Sequence, residues 1–351
     1  MAALTRPTVT RVRAAMPGEG FAIAALWREL WDAHQDWGGY PGSSDEGVYA
    51  QLAARLDDDA RVRGGRPLLG SHVHLIADRG GVACGQVEGW LERHGLGAAA
   101  PLTCEVRSLI VGARSRGFGL GRDLLDTLGQ TARSVAPGVR CVLAAEVLEP
   151  NPAHAFYART GFVPIAWSAR LDPVAGSQAR PGSYVARAAG AADAGAVARL
   201  ETVLSARRRE RGDVRFDPPR ALDAAFLAVI AAHLAAEARE QGDSGTLVVS
   251  DRTGAVRGAA SVIVQTLEPP FLPVRRALVG RFALDPACPT AALVAPLVAA
   301  GCRFAAARGA ARVELTDLSA PGSALYDAVL SLGATPWSRV VTREVPVPCP
   351  P

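Results

Sequence analysis

The chain contains no lysine. All 38 of its basic residues are arginine, set against 34 acidic ones, so the formal charge over 351 residues is only +4. That uniformity reads as a bias of genome composition as readily as an adaptation to phosphate. The arginines are scattered and form no basic stripe, so charge does not imply nucleic acid. Also missing is any CxxC pair: Cys84, Cys104, Cys141, Cys288, Cys302 and Cys349 show no metal-type spacing. Most lie in apolar runs, where a thiol behaves as a small hydrophobe, so reduced thiols and no metal are expected. The opening MAALTRPTVTRVR lacks the apolar core of a secretion signal, and no apolar run reads as a membrane span. These absences predict a cytoplasmic protein with neither membrane nor nucleic acid as partner.

What is present is ample apolar material. Hydrophobic residues make up 49% of a chain longer than one core usually organises, so two domains are expected. An internal echo agrees. Val12–Leu26 returns 174 positions later as Ala186–Leu200, with Arg13 over Arg187, Glu19 over Asp193, Ile23 over Val197 and Leu26 over Leu200. Each copy reads as a short strand, a turn and an amphipathic helix.

Downstream, strands are predicted at 72–78, 82–91, 103–111, 140–147 and 162–171, with helices at 119–135 and 152–160. The second half repeats the order, with strands at 246–250, 256–265, 277–284 and 311–316 and helices at 290–308 and 323–332. A Pro/Gly/Ser-rich stretch at 172–183 separates domains at 1–176 and 184–351. The fold class expected is α/β (α+β) in two tandem copies, each a mixed, mostly antiparallel sheet flanked by helices. The chain is expected as a monomer forming an internal pseudo-dimer, or as a homodimer.

The most informative stretch runs from Glu105 to Leu125. A strand ends at Val111, a loop passes through Arg116, Gly117, Phe118, Gly119, Leu120 and Gly121, and a helix follows. Glycines let the backbone approach a ligand, and the amides of a helix N-terminus converge on an anion, with Arg116 and Arg122 adding charge. There is no GK[ST] ending, which excludes a P-loop. The turn follows a fourth strand rather than a first, which excludes a Rossmann fingerprint.

Arg116-x-x-Gly119-x-Gly121 resembles the coenzyme-A loop of the GNAT acetyltransferase superfamily, and the resemblance covers residues 12–171. It implies acetyl-CoA as cosubstrate, with Leu109, Ile110 and Val111 pairing with the pantetheine arm. Phe156-Tyr157 followed by Gly161-Phe162 matches the family's later helix, which implies Tyr157 as the general acid that protonates the departing thiolate. The family asparagine falls on Pro150, so Asn151, one residue late, takes its place as a coenzyme contact.

For a proton acceptor, Glu105 stands six residues before the strand end, with Glu88 on the preceding strand as its rival; His72, His74 and His94 are weaker candidates. The acceptor wall is expected from Trp31, Asp32, Asp36, Trp37 and Tyr40, aromatic faces beside acidic groups that would attract a cationic amine. Registering the halves at Val111 and Leu284 puts Pro289, Thr290, Ala292 and Val294 on the loop positions and Val329 on Tyr157, with Tyr326 nearby. The second half is therefore expected to be structural.

The resemblance implies an N-acetyltransferase acting on a small, cationic amine. A protein or peptide acetyltransferase and a non-catalytic acyl-CoA-binding module are the alternatives.

Overall fold

The structure is a computed structural model that describes residues 10–63, 69–93, 100–177, 182–216, 222–240, 242–267 and 270–346; His94 and Cys349 lie outside these. The chain divides into two compact units. Unit 1 comprises residues 1–163, 268–272 and 341–351, and unit 2 comprises 164–267 and 273–340.

Unit 1 opens with β1 (Thr10–Ala14), α1 (Gly20–Asp36) and α2 (Glu46–Arg63). It continues with β2 (His72–Arg79), β3 (Val82–Glu92), β4 (Leu102–Val111), α3 (Leu120–Val135), β5 (Cys141–Leu148) and α4 (His154–Arg159). Strands β1 to β4 pair antiparallel in sequence order, and β5 lies parallel to β4. A parallel neighbour needs a crossover, and α3 supplies it.

Helix α3 forms because Leu120, Leu124, Leu125, Leu128 and Ala132 recur on one face, and that face is buried against the sheet. Each of the three inner leucines is 0% exposed, a burial that stabilises by about 2 kcal/mol apiece. On the opposite sheet face, Ile23, Ala24, Trp27 and Trp31 of α1 meet Tyr49, Leu52 and Leu56 of α2 over Ile76.

Strand β4 carries a bulge. Glu88 pairs with Ser108 but Gly89 with Val106, leaving Arg107 as the extra residue. The bulge resets the alternation, so that Cys104 and Val106 before it and Leu109 and Val111 after it all face the α3 core.

Unit 2 contains β6 (Val163–Leu171), α5 (Pro173–Gly176), β7 (Val185–Ala188), α6 (Ala194–Glu210), α7 (Ala224–Glu240), β8 (Ser244–Ser250) and β9 (Val256–Thr266). There follow β10 (Arg275–Leu284), α8 (Thr290–Ala307), β11 (Arg312–Leu318), α9 (Ala324–Leu330) and β12 (Thr335–Glu344). Strands β7 to β10 pair antiparallel and β11 lies parallel to β10, the pattern of unit 1.

The echo has a structural meaning in both copies. Arg13 binds Glu19 at 2.6 and 2.9 Å, and Arg187 binds Asp193 at 2.6 and 2.8 Å. Each pair ties the first strand to the turn before the first long helix.

Helices α2 and α7 and strand β12 were not legible as elements. One reading is corrected: the 18 residues of α8 do have the length and hydropathy of a membrane span. In the fold Leu293, Val294, Leu297 and Val298 of this helix line the core of unit 2.

The units also depart from a single cut between 176 and 184. β6 counts in unit 2, while β12 passes into unit 1 at Val341. There the Val345 amide donates to the Cys141 carbonyl at 2.9 Å, and Arg140 pairs with Glu344 at 2.8 Å.

Candidate active site

β4 and β5 hold together only from Leu102–Cys141 to Val106–Ala145. Beyond Val106 the strands separate, while the other edge of β4 stays paired with β3 through Val111. Leu109, Ile110 and Val111 therefore border the gap on the edge of β4 that has no β5 rung, where Arg116 takes the Val111 carbonyl. This gap is part of a cleft of about 630 Å³ lying wholly within unit 1.

The floor of the cleft is the turn into α3. Gly117 and Gly119 adopt φ of +86° and +83°, a left-handed conformation that costs other residues about 1–2 kcal/mol. Gly119 is the N-cap of α3, so the first amides of the helix face outward with no partner inside it. Gly121 is confined for another reason: a Cβ there would stand 3.1 Å from the Phe156 ring.

Arg116, Gly117, Gly119, Leu120, Gly121 and Arg122 all line the cleft. Arg116 donates through Nε to the Val111 carbonyl at 2.8 Å and through Nη2 to Glu29 of α1 at 2.7 Å. It thereby fastens the loop both to the strand before it and to the first helix. Arg159 lines the cleft as well, its carbonyl accepting from Arg122 Nη2 at 3.4 Å. A turn this open, with helix amides and cations converging, fits the pyrophosphate of coenzyme A.

Phe118 does not share this wall. Its side chain is 68% exposed, and Arg79 lies 5.6 Å from its ring centroid. Asn151 does line the cleft, but its Oδ1 accepts from the Ala153 amide at 2.8 Å. That bond fixes the turn before α4.

Tyr157 is 8% exposed and lines the cleft from α4. Its ring packs edge-on against Phe156 at 5.4 Å and Phe162 at 5.1 Å. Burial pushes its hydroxyl above the ordinary phenol range, so the proton is retained at neutral pH.

The remaining expectations divide. Glu105 lies on the paired part of β4, before the separation, and forms a 3.6 Å ion pair with Arg107; it is not part of the cleft wall. Glu146 is. It is the first β5 residue past the last rung with β4, and the cleft wall includes it. Sequence reasoning missed it because carboxylates were sought only on the two strands before the glycine turn, at Glu105 and Glu88.

From α1 and the turn after it, Trp37 lines the cleft, but Trp31, Asp32, Asp36 and Tyr40 do not. Trp31 and Tyr40 are buried around Phe271, at ring distances of 4.1 and 6.3 Å. Asp32 and Asp36 face solvent. The helix instead offers Glu29, Leu30, Ala33 and His34, with Trp37 at its C-cap, at spacings of one or three residues along a single face. His34 sits between Trp31 and Trp37, each 5.4 Å away, and burial pushes its imidazole down to about 4.

Glu88, the rival carboxylate, is 5% exposed one strand away, paired with Ser108 of the cleft wall. Burial opposes its ionisation, yet His72, His74 and Arg107 together hold its carboxyl below the usual range.

In unit 2 the loop before α8 spans 285–289, three residues shorter than 112–119 before α3. The helix N-cap there is Pro289 with φ −61°. Cap against cap, Pro289 falls on Gly119 and not on Arg116, so the shorter loop has no counterpart to the left-handed glycines. Val329 stands four residues before Gly333, as Tyr157 stands before Gly161.

The acetyltransferase (GNAT) family matches residues 25–162, which hold every cleft residue named above. Across nearly the whole chain, the fold resembles a tandem GNAT protein from the clavulanic acid biosynthesis pathway (20% identity, 97% of this chain and 100% of that one, TM-score 0.51). It also resembles a GCN5-related N-acetyltransferase from Sphaerobacter thermophilus (17% identity, 98% of both chains, TM-score 0.57). No curated protein matches the chain. The separated strands, the glycine turn and the buried tyrosine all fall inside residues 25–162, the part of the chain that matches the acetyltransferase (GNAT) family.

Proposed function

We propose that unit 1 transfers the acetyl group of acetyl-CoA to the amine of a small molecule, and that unit 2 is structural. The observation that carries this reading is the separation of β4 from β5 directly over the Gly117–Gly121 turn, with Tyr157 in the same cleft. The β4 edge beyond the last β5 rung, at Leu109–Val111 apart from the carbonyl that Arg116 holds, pairs with the pantetheine arm and lays the thioester between the strands. Glu146 accepts the proton of the attacking amine, directly or through a water. As nitrogen bonds to the acetyl carbon and the C–S bond breaks, Tyr157 gives its proton to the leaving thiolate, so the products are an amide and free CoA. The preference for a cationic acceptor rests on Glu146 and the flat face of Trp37, since Asp32 and Asp36 stand outside the cleft.

The experiment is thiol release from acetyl-CoA against a panel of polyamines, aminosugars, amino-acid derivatives and peptides. Release that depends on a small amine, lowered about 10²-fold in Tyr157→Phe with acetyl-CoA binding unchanged, is the expected result. Release with peptides alone would overturn the small-molecule assignment. CoA binding without release for any amine would overturn turnover altogether.

A further inference from the structure

Behind the cleft wall, β2 carries two histidines with one residue between them, so His72 and His74 point to the same face. The β2–β3 register sets Glu88 directly opposite His74, and the Glu88 carboxylate turns to that face as well. The Nδ1 of His72 contacts Glu88 Oε1, and the Nε2 of His74 stands 3.9 Å from the same oxygen. The candidate donor atoms of all three residues lie within 4.8 Å of one another. The imidazole planes are inclined by 26°, and Trp90 closes the far side of His72 with its ring centroid 4.7 Å away.

A second cavity, of about 180 Å³, opens onto both histidines, and Arg13, Asp59 and Thr131 also line it. It gives a cation a way in and leaves room for water beside the three protein donors. Arg13 does not compete for the carboxylate, because it is already bound to Glu19 and Asp78. Arg107 is the cation on the other side, stacked 4.9 Å from the Trp90 ring centroid; its charge weakens cation binding without blocking the donors.

We propose that His72, His74 and Glu88 form a binding site for a divalent transition-metal ion of the zinc class. Two imidazoles and one carboxylate are a donor set that suits such an ion and disfavours magnesium or calcium. To reach roughly 3.3 Å, the separation of two ligands about 2.0–2.1 Å from a tetrahedral zinc, the His72–Glu88 contact must open and His74, 3.9 Å from the same oxygen, must close in. Rotation of the partly exposed His72 opens the first distance and a smaller rotation of His74 closes the second, while Glu88 is fixed by its burial. Three protein donors leave at least one position open to the cavity. The ion would pin β2 to β3 at the rung whose β4 neighbour, Ser108, lines the acetyl-transfer cleft. The site is independent of whether that cleft turns over.

The test uses the full chain, stripped with a chelator and titrated with Co²⁺ at neutral pH, followed by the visible d–d absorption of the metal. A saturating band at one equivalent, removed by competing Zn²⁺, is expected. The band should be lost, or the affinity should fall at least about tenfold, in His72→Ala, His74→Ala and Glu88→Gln that remain folded by circular dichroism. Zn²⁺ should raise the melting temperature of the parent chain and leave that of His74→Ala unchanged. No cobalt band in the folded parent protein would overturn the proposal and leave a histidine–carboxylate ion cluster. The same band in a folded His72→Ala/His74→Ala double variant would overturn it equally, by placing the metal elsewhere.

Discussion

Gly121, in the first turn of α3, lies under the ring of Phe156 from α4, so close that an added Cβ would stand 3.1 and 3.2 Å from two ring carbons. This contact couples the coenzyme loop to the helix that carries Tyr157. Gly121→Ala should therefore push α4 by a few tenths of an ångström, and Gly121→Val by more. The expected outcome for the alanine variant is a fall in kcat of about tenfold with a smaller change in CoA affinity, read from steady-state kinetics and calorimetry. Equal loss of both would mean that residue 121 serves the phosphates alone.

Calorimetric titration of the chain with CoA should give one site. The loop at 285–289 is three residues shorter than its counterpart and capped by Pro289, and proline offers no amide where a phosphate would need one. Gly119→Val should abolish that single site. It should also lower the melting temperature, because the open space around Gly119 removes any clash but φ +83° remains, a strain of about 1–2 kcal/mol for a non-glycine residue.

Glu146 and Glu105 can be told apart by pH. Glu146→Gln should lower kcat/KM at neutral pH by about 10²-fold, with partial recovery as pH rises and the amine loses its proton unaided. Glu105→Gln, outside the cleft wall, should stay within about threefold. The reverse ranking would return the base to β4.

His34 predicts an acid-side stability change. Its imidazole is pushed down from 6.5 to about 4 by burial, so between these values the unfolded chain binds the proton and the folded chain does not. Stability is therefore complete above about pH 6.5 and declines as pH falls towards 4. Melting temperatures measured across that range should show a shallower slope in His34→Gln than in the parent chain. Parallel slopes would mean that His34 is solvated when folded.

The sequence made legible those features that depend on backbone conformation or on period. Gly117 and Gly119 were readable because only glycine takes the left-handed turn at low cost, and α3 because its leucines recur on one face. Arg13 and Glu19 were readable through their echo in Arg187 and Asp193.

What failed were inferences about where side chains point. Trp31 and Tyr40 read as a substrate wall, but Phe271, more than 200 positions away in sequence, covers them; no local pattern announces such a partner. Glu105 read as a cleft residue because its distance from Val111 was counted along an unbroken strand. The bulge at Arg107 makes that count unreliable. Glu146 was hidden for a related reason: its exposure follows from where β4 and β5 stop pairing, which is a property of two strands and not of either one. His72, His74 and Glu88 were each weighed singly as bases, and it is the β2–β3 register that gathers them.

The passage of β12 into unit 1 at Val341 bears on how the protein is made. A ribosome adds about 5–20 residues per second, so on the order of ten seconds or more separates the emergence of residue 163 from that of residue 346. Throughout that interval the first unit has its cleft residues but not the segment that hydrogen-bonds Cys141 through Val345. The β5 edge then stays open to solvent, or to any other nascent chain that offers a strand. The unit translated first is thus the one completed last, and the purchase of a chaperone on the growing chain would be greatest at β5.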